Sequence, residues 1–239
     1  MSTLVYIGAN TGYTLWSLFD KFDKVYAFEP DPEMFSELDR RFRQFEWVTL
    51  VNAACSLEDG ESKFYVTGNR VASSLGDGSA QFKDRYGHSA EVIKEINVKT
   101  INLSNYLKDE GVEFIDLYFS DAQGSDLNIL TTMKDYIDMK KIGEMFIETH
   151  GDGSEIYYGL DNQYSNFKKL LNENYDFIHA CMGTYGEGNA SPSRLLIDGQ
   201  VVGEEYILDI SEWKVSNPEW DTYWRLKDYD ATYGLNLRA

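Results

Sequence analysis

The sequence predicts an α/β domain built on a mostly parallel β-sheet, and three observations support this prediction. Short apolar runs, such as residues 4–7 and 25–28, have the length of buried strands. Between them, apolar residues recur at helical spacing, as at Leu15, Leu18 and Phe22. Strand and helix then alternate along the chain, which is typical of parallel strands joined by right-handed crossovers.

The predicted strands follow one another from the start of the chain. They cover residues 4–7, 25–28, 48–51, 62–66, 96–101, 114–119, 145–147 and 177–178. Helices are predicted after the first two strands, and Pro32 suits the first turn of the second helix. Further helices follow the strands that end near residues 119 and 147.

The polar stretch 67–93 is predicted to be a long loop with a functional role or mobility. The strands on either side of it are expected to pair with each other. Residues 194–202 place Asp198 and Gly199 between apolar runs, which predicts a β-hairpin. Such a hairpin fits the antiparallel edge of a mostly parallel sheet.

No internal repeat or Pro/Gly-rich linker divides the chain, so a single domain over residues 1–239 is predicted. The loop 67–93 and the tail 185–239 are expected to contribute to a binding site or an interface. Trp213, Trp220 and Trp224 in the tail could stack on a sugar. The favoured alternative is that they pack the tail onto the domain or form a homodimer interface.

Composition excludes several classes of partner. Lys and Arg number 22 against 40 Asp and Glu, a net charge of -18. Such a surface repels phosphate, so neither nucleic acid nor a membrane is expected as a partner. Cys55 and Cys181 are too few for a disulfide framework and indicate a reducing compartment. No apolar run approaches the ~20 residues of a membrane span, no leader segment is recognised, and a cytoplasmic location is expected.

A glycine-containing turn after the first strand is the first candidate ligand site. It comprises Gly8, Ala9, Asn10, Thr11 and Gly12. Glycines let the backbone approach a ligand, and the N–H groups at a helix start are free to bind it. Asn10 stands where a dinucleotide fingerprint would have its second glycine. A nucleotide-dependent oxidoreductase is therefore disfavoured.

Glu29 ends the second strand, 17 positions after Gly12. An acid at this place can accept hydrogen bonds from both hydroxyls of a ribose. The alternative is an acid favoured by the helix dipole, with Asp31 as the helix cap. Together with the glycine turn, Glu29 indicates a nucleoside-type cofactor.

Asp121, Glu148 and His150 are the candidate catalytic residues. Asp121 follows one predicted strand, and the other two end the next strand. Ligands bind at the carboxyl ends of strands in open α/β sheets, so these side chains should face the same crevice as the glycine turn. His150 or Asp121 would act as a general base, with Glu148 orienting His150 or the substrate. Alternatively, the three residues would ligate Mg²⁺ or Mn²⁺, or Asp121 would cap the next helix and Glu148 pair with a lysine.

These segments resemble, in order, the FkbM-type family of S-adenosylmethionine-dependent methyltransferases. The similar segments are residues 6–12, 25–31, 51–54, 59–60, 73–75, 116–126 and 148–150. The resemblance covers about residues 4–150. It implies a class I methyltransferase fold, a Rossmann-like three-layer sandwich of seven strands with an antiparallel edge strand. It also implies S-adenosylmethionine as cofactor and O-methylation of a sugar, a glycan or a related small hydroxylated compound.

The resemblance also implies roles for individual residues. The glycine turn would wrap the methionine and ribose, Glu29 would bind the ribose hydroxyls, and Asp121 would face the sulfonium and amino end. The adenine would lie near residues 52–53. The cofactor-binding residues so implied are Gly8, Ala9, Asn10, Thr11, Gly12, Glu29, Pro30, Asn52, Ala53 and Asp121.

The chain departs from the family pattern in its first strand. The family usually has Asp at the position of Tyr6, where the acid helps to hold the cofactor's amino group, and often has Lys at the position of Phe119. The helix that usually precedes the first strand is missing, so a minimal member or a fragment of a longer protein is expected. Tyr6 supports a second hypothesis, a catalytically impaired binding or scaffold protein on the same fold.

Overall fold

The computed structural model describes residues 1–181, 206–207 and 219–230. The strands within these residues are β1 (Thr3–Ile7), β2 (Lys24–Phe28), β3 (Val48–Val51), β4 (Ala54–Ser56), β5 (Gly60–Thr67), β6 (Val92–Asn102), β7 (Ile115–Ser120), β8 (Ile142–His150), β9 (Tyr175–Cys181), β10 (Tyr206–Ile207) and β11 (Glu219–Leu226). The α-helices are α1 (Pro32–Phe42), α2 (Ala80–Tyr86), α3 (Leu103–Asp109), α4 (Asp126–Thr132), α5 (Lys134–Asp138) and α6 (Tyr164–Leu171).

The main sheet has the strand order β10-β9-β11-β8-β7-β1-β2-β3. From β8 to β3 all neighbouring strands are parallel, which confirms the predicted fold class. β11 runs antiparallel between β8 and β9, and the two-residue β10 is the antiparallel edge of the described sheet. The sheet therefore has one short strand more than the seven predicted.

Helices cover both faces of this sheet and make the three layers expected. Val5 and Ile7 point into a core shared with α3, α4, α5 and α6. Leu4 and Tyr6 point to the other face, where they meet α1 and the turn before β2. Because side chains alternate along a strand, β1 is buried from both sides.

The two predicted helices of the first half have different outcomes. α1 is confirmed: the Asp31 side chain caps it by accepting from the Glu33 N–H, and Pro32 takes its first position. The first predicted helix is wrong, because the segment forms two 3₁₀ turns, Leu15–Ser17 and Phe19–Lys21. The crossover to β2 is short, and the two turns bury the same apolar side chains that a helix would.

A small second sheet, β4-β6-β5, lies beside the main one. β5 and β6 are antiparallel, which confirms the pairing predicted across the polar stretch. The prediction of one long loop over 67–93 is wrong, because α2 lies within it. Ser79 caps this helix by accepting from the Phe82 N–H, and Phe82 packs against Ile156 and Tyr157.

Part of the aromatic tail belongs to the sheet. Trp220 and Trp224 lie in β11 and are buried, which agrees with packing rather than with an exposed sugar-stacking surface. The predicted hairpin 194–202 and Trp213 lie outside the described residues. Among the described helices, none combines the length and the apolar character that crossing a bilayer requires.

Candidate active site

A cleft of about 390 Å³ opens at the carboxyl ends of β1, β2 and β7. Its volume lies within the range of small-molecule sites, about 300–1,000 Å³. Eight of the ten residues predicted to bind a cofactor line it: Gly8, Ala9, Asn10, Thr11, Glu29, Pro30, Ala53 and Asp121. The glycine turn and the two acids thus share one cavity, as the rule on strand carboxyl ends predicts.

Gly12 and Asn52, the other two predicted residues, shape the cleft from behind. A Cβ on Gly12 would lie 2.4 Å from the Phe42 ring, so this glycine lets α1 pack against the turn. The Asn52 side-chain amide donates to the carbonyl oxygens of Glu29 at 2.8 Å and Pro30 at 3.2 Å. Asn52 therefore holds the turn between β2 and α1.

Gly8 brings the glycine turn against the end of β7. Its φ is +74°, and a Cβ there would lie 1.9 Å from the carbonyl oxygen of Asp121. The Asp121 N–H donates to the Ile7 carbonyl oxygen at 3.2 Å. Only glycine allows this approach of two backbones, and the approach places Asp121 beside the turn.

Glu29 is buried and joins the turn to the end of β2. Its Oε2 accepts from the Asn10 N–H at 2.7 Å, and its Oε1 accepts from the Asp31 N–H at 2.8 Å. Burial raises its pKa to about 7 although both hydrogen bonds oppose the rise. Each carboxylate oxygen has a further lone pair, so Glu29 can still accept from hydroxyls of a ligand.

Asp121 reaches the cleft with its side chain fixed by Gln123. The Gln123 Nε2 donates to Asp121 Oδ1 at 2.5 Å and to Glu148 Oε1 at 2.9 Å. The Gln123 Oε1 accepts from the Tyr157 hydroxyl at 2.6 Å. Burial, and then the charge of Asp126, raises the pKa of Asp121 to about 7. Gln123 was absent from the predicted site, although it stands two residues after Asp121 and directly before Gly124.

Glu148 and His150 lie behind the cleft rather than in its lining. Glu148 Oε2 accepts from the Gly124 N–H at 3.1 Å. Burial, and then the charge of Asp121, raises the pKa of Glu148 well above its usual range. His150 is 2% exposed, and its Nε2 lies 3.9 Å from Glu148 Oε2. Burial lowers the pKa of His150 to about 3, so its imidazole is neutral near pH 7.

Asp126, which the sequence analysis did not single out, is the first residue of α4, and Ser125 rather than Asp121 takes the N-cap position of this helix. Its Oδ1 accepts from the Ala122 N–H at 2.9 Å and from the Ser120 hydroxyl at 2.5 Å. Its Oδ2 accepts from the Asn162 amide at 3.2 Å. These bonds leave Asp121 available to the cleft.

Tyr6 occupies the cleft wall where the resemblance implies an acid. Its ring is buried and stacks on Phe119, and its hydroxyl is hydrogen-bonded to Thr14. Burial, and then the charge of Asp121, raises the pKa of Tyr6 well above its usual range. The cleft therefore presents a neutral phenol there.

Arg70 closes the cleft from the segment after β5 and was missed by sequence reasoning. Its Nη1 donates to Asp31 Oδ2 at 2.8 Å and its Nη2 to Glu33 Oε2 at 2.6 Å. In the same segment the Ser74 hydroxyl donates to the Gln123 carbonyl oxygen at 2.6 Å. The ion pairs of Arg70 and the hydrogen bond of Ser74 thus hold this segment over the cleft from two sides.

The strand order and the cleft over β1 and β2 define an α/β protein of the class I methyltransferase type. The chain belongs to the methyltransferase FkbM domain family, whose family model matches residues 7–181. The family predicted from the resemblance is confirmed.

A curated relative is the 2-O-methyltransferase NoeI of Sinorhizobium fredii. It is 23% identical over 141 residues, which are 57% of this chain and 56% of NoeI, so the match spans little more than half of that relative. Among solved structures, the N-methyltransferase NodS of Bradyrhizobium japonicum is 10% identical, with a TM-score of 0.45 over 94% of this chain and 85% of NodS. TrmK of M. capricolum, solved with S-adenosylhomocysteine, is 11% identical, with a TM-score of 0.44 over 95% of this chain and 63% of TrmK.

Proposed function

We propose that this protein is an S-adenosylmethionine-dependent O-methyltransferase acting on a hydroxyl of a sugar, a glycan or a related small hydroxylated compound. The observation that carries the proposal is the placement of Glu29 and Asp121 in one cleft, on either side of the glycine turn. Membership of a methyltransferase family supports the transfer of a methyl group. The name of the relative NoeI, a 2-O-methyltransferase, supports oxygen as the acceptor atom.

The cleft fits S-adenosylmethionine, which supplies an electrophilic methyl group on a positively charged sulfur. Glu29 has acceptor oxygens for the ribose hydroxyls, whereas the backbone N–H groups of residues 8–12, expected to be free for a ligand, already donate within the protein. Ala53 and Phe64 give an apolar wall that suits the adenine. The carboxyl groups of Glu29 and Asp121 suit a ligand that carries positive charge.

Asp121 is the general base in this proposal. A sugar hydroxyl is a poor nucleophile until it loses its proton, and a positioned base contributes ~10²–10⁴-fold in rate. With a pKa of about 7, Asp121 is partly ionised near neutral pH and can take the proton as the O–C bond forms. Gln123 holds one oxygen of this carboxyl group, which fixes its direction toward the acceptor.

Glu148 and His150 take positioning roles in this proposal. The chain of contacts runs from Asp121 to Gln123 to Glu148, and His150 lies behind Glu148. Because His150 does not line the cleft, we assign the proton transfer to Asp121. The earlier hypothesis of His150 as the base stays a prediction that the variants below can test.

The test is to incubate the protein with S-adenosylmethionine and a panel of neutral mono- and oligosaccharides, and to detect an added methyl group by mass spectrometry. Asp121→Asn is expected to lower turnover by ~10²–10⁴-fold, with S-adenosylhomocysteine affinity changed less than tenfold. Asp20→Asn, at an exposed aspartate on the 3₁₀ turn, is the matched control and should not change turnover. Wild-type turnover in Asp121→Asn with loss of turnover in His150→Gln would move the base to His150.

Calorimetry separates the enzyme from the scaffold alternative raised by Tyr6. An enzyme should bind S-adenosylmethionine or S-adenosylhomocysteine at micromolar concentrations, with Glu29→Gln weakening both. No binding of either compound by the folded protein would contradict the proposal and favour a scaffold. Amino sugars are assayed beside the neutral panel, and methyl transfer to their nitrogen alone would contradict the choice of oxygen as the acceptor atom.

A further inference from the structure

Four ionisable side chains share one face of the main sheet where β8 pairs with β11. In this antiparallel pair His150 is opposite Glu219, and Glu148 is opposite Asp221. Residues opposite each other, and residues two apart on one strand, point to the same face. The register therefore gathers three carboxyl groups and one imidazole behind the cleft.

Three of these side chains come close enough to share an ion. Ligand atoms of Glu148, His150 and Glu219 all lie within 4.8 Å of one another. Two ligands bound at about 2.1 Å from one ion are at most about 4.2 Å apart. A small inward rotation of the carboxylates, of which that of Glu219 is the least buried, brings the three to this distance.

His150 gives a second, independent observation. Its Nε2 is buried, has no hydrogen-bond partner among the residues that the structure describes, and faces Glu148 Oε2 at 3.9 Å. A buried polar atom without a partner is rare in native proteins and destabilises the folded state. A neutral imidazole nitrogen directed at carboxylates is a good metal ligand, and a bound ion would satisfy it.

The charges around the triad favour a cation as well. The negative charges of Asp121, Asp126 and Asp221 act on Glu148, and of these residues Asp126 is fully buried and the other two are half-buried. From α2, the Tyr86 hydroxyl donates to Glu219, and the charge of Arg85 acts on that same carboxyl. A divalent ion would offset the repulsion between these neighbouring carboxylates.

We propose that Glu148, His150 and Glu219 form a binding site for a divalent first-row transition-metal ion, for which Mn²⁺ is the probe. Two carboxylates with one imidazole suit such an ion better than Mg²⁺ or Ca²⁺, which prefer oxygen ligands alone. The sequence analysis considered Asp121, Glu148 and His150 as metal ligands. In the site proposed here, Glu219 takes the place of Asp121. A small cavity of about 20 Å³, lined by Gln123 and Glu219 among others, has room for one water beside Glu219.

The ion-binding site does not depend on the proposed methyl transfer, so its test uses no turnover. Mn²⁺ is titrated into the full chain and free Mn²⁺ is followed by electron paramagnetic resonance. One ion per chain is expected, displaced by Zn²⁺, with coupling to one imidazole nitrogen in the pulsed spectrum. Absence of stoichiometric binding, or a bound ion without nitrogen coupling, would overturn the proposal.

Variants locate the ion. Glu219→Gln and His150→Gln are each expected to weaken Mn²⁺ binding at least about tenfold. His88→Gln is the matched control, since His88 and Glu91 form an exposed pair with 2.5 Å between Nδ1 and Oε2. Loss of binding in His88→Gln, or unchanged binding in Glu219→Gln, would place the ion elsewhere. If His150→Gln does not fold, Glu219→Gln and the nitrogen coupling decide.

Discussion

Tyr6 and Phe119 are opposite each other in the parallel pair β1 and β7, and their rings stack with centroids 4.2 Å apart and 9° between planes. The resemblance implies an acid at the first position and often a lysine at the second. Both positions are aromatic in this chain, and an aromatic residue at the second is a variant that the resemblance also allows. The carboxyl groups that face the cleft are then those of Glu29 and Asp121.

Tyr6→Phe is expected to keep this stack and to change the free energy of unfolding by less than about 1.5 kcal/mol, the worth of one hydrogen bond. Tyr6→Asp restores the family's acid but buries a carboxylate beside Asp121 and leaves Phe119 without its partner. It should destabilise the protein by at least about 3 kcal/mol. Urea denaturation measures both, and Tyr6→Asp as stable as wild type would show that the acid is tolerated here.

Gly8→Ala and Gly153→Ala separate backbone strain from steric overlap. Both glycines have positive φ, +74° and +82°, but a Cβ at Gly153 meets nothing within 4 Å, whereas at Gly8 it meets the Asp121 carbonyl oxygen at 1.9 Å. Gly153→Ala should cost about 1–2 kcal/mol from the left-handed backbone alone. Gly8→Ala should cost at least about 2 kcal/mol more because overlap must be relieved. Chemical denaturation gives both values, and equal costs would mean that the turn and β7 can separate.

Stability is expected to fall as pH rises from 6.5 to 8. The pKa values of Glu29 and Asp121 are raised to about 7 from ordinary values of 4.5 and 3.8, so the folded state holds protons that the unfolded state has lost. The stabilisation is complete below the ordinary values and is lost as pH rises through about 7; the part lost between pH 6.5 and 8 is on the order of 1 kcal/mol per group. The lowered pKa of His150 acts in the opposite direction, but its effect is confined to pH below about 6.5.

Denaturation midpoints measured at several pH values test this slope. Asp121→Asn removes one of the two groups and should make the dependence between pH 6.5 and 8 shallower. Asp20→Asn, an exposed aspartate, should leave it unchanged. A stability that rises over this interval would show that these carboxyl groups are already ionised in the folded protein.

The sequence was sufficient where a local pattern determines the structure. The glycine turn and the capped start of α1 follow from signals within a few residues, and the pairing of β5 with β6 follows from two strand patterns on either side of one polar stretch. Helix α2 was not predicted from the sequence, because it has only seven residues. It depends on the Ser79 cap and on burial of Phe82 against Ile156, far along the chain. Glu219 was missed for a similar reason: only the register of β11 against β8 brings it opposite His150.

Arg70→Ala is expected to open the cleft and to speed dissociation of a bound nucleoside ligand. Arg70 is 24% exposed in its side chain and spans two acids of the turn before and within α1, Asp31 at 2.8 Å and Glu33 at 2.6 Å. Without it, the segment after β5 keeps the Ser74 hydrogen bond and a long one, 3.4 Å, from the Asn10 amide to the carbonyl oxygen of residue 70. Stopped-flow measurement of S-adenosylhomocysteine release should show a faster rate by about tenfold, which corresponds to about 1.4 kcal/mol.

Lys94→Ala is the matched control because Lys94 also pairs with Glu33, at 3.6 Å, but lies outside the cleft lining and is half exposed. Lys94→Ala also removes a positive charge that pairs with Glu33, and it should leave the release rate unchanged. Arg70→Lys keeps the positive charge, but an ammonium group cannot span both acids as a planar guanidinium does. Its release rate should therefore be nearly as fast as that of Arg70→Ala. Equal release rates in Arg70→Ala and Lys94→Ala would show that positive charge near Glu33, rather than the bridge that Arg70 makes to two acids, holds the cleft closed.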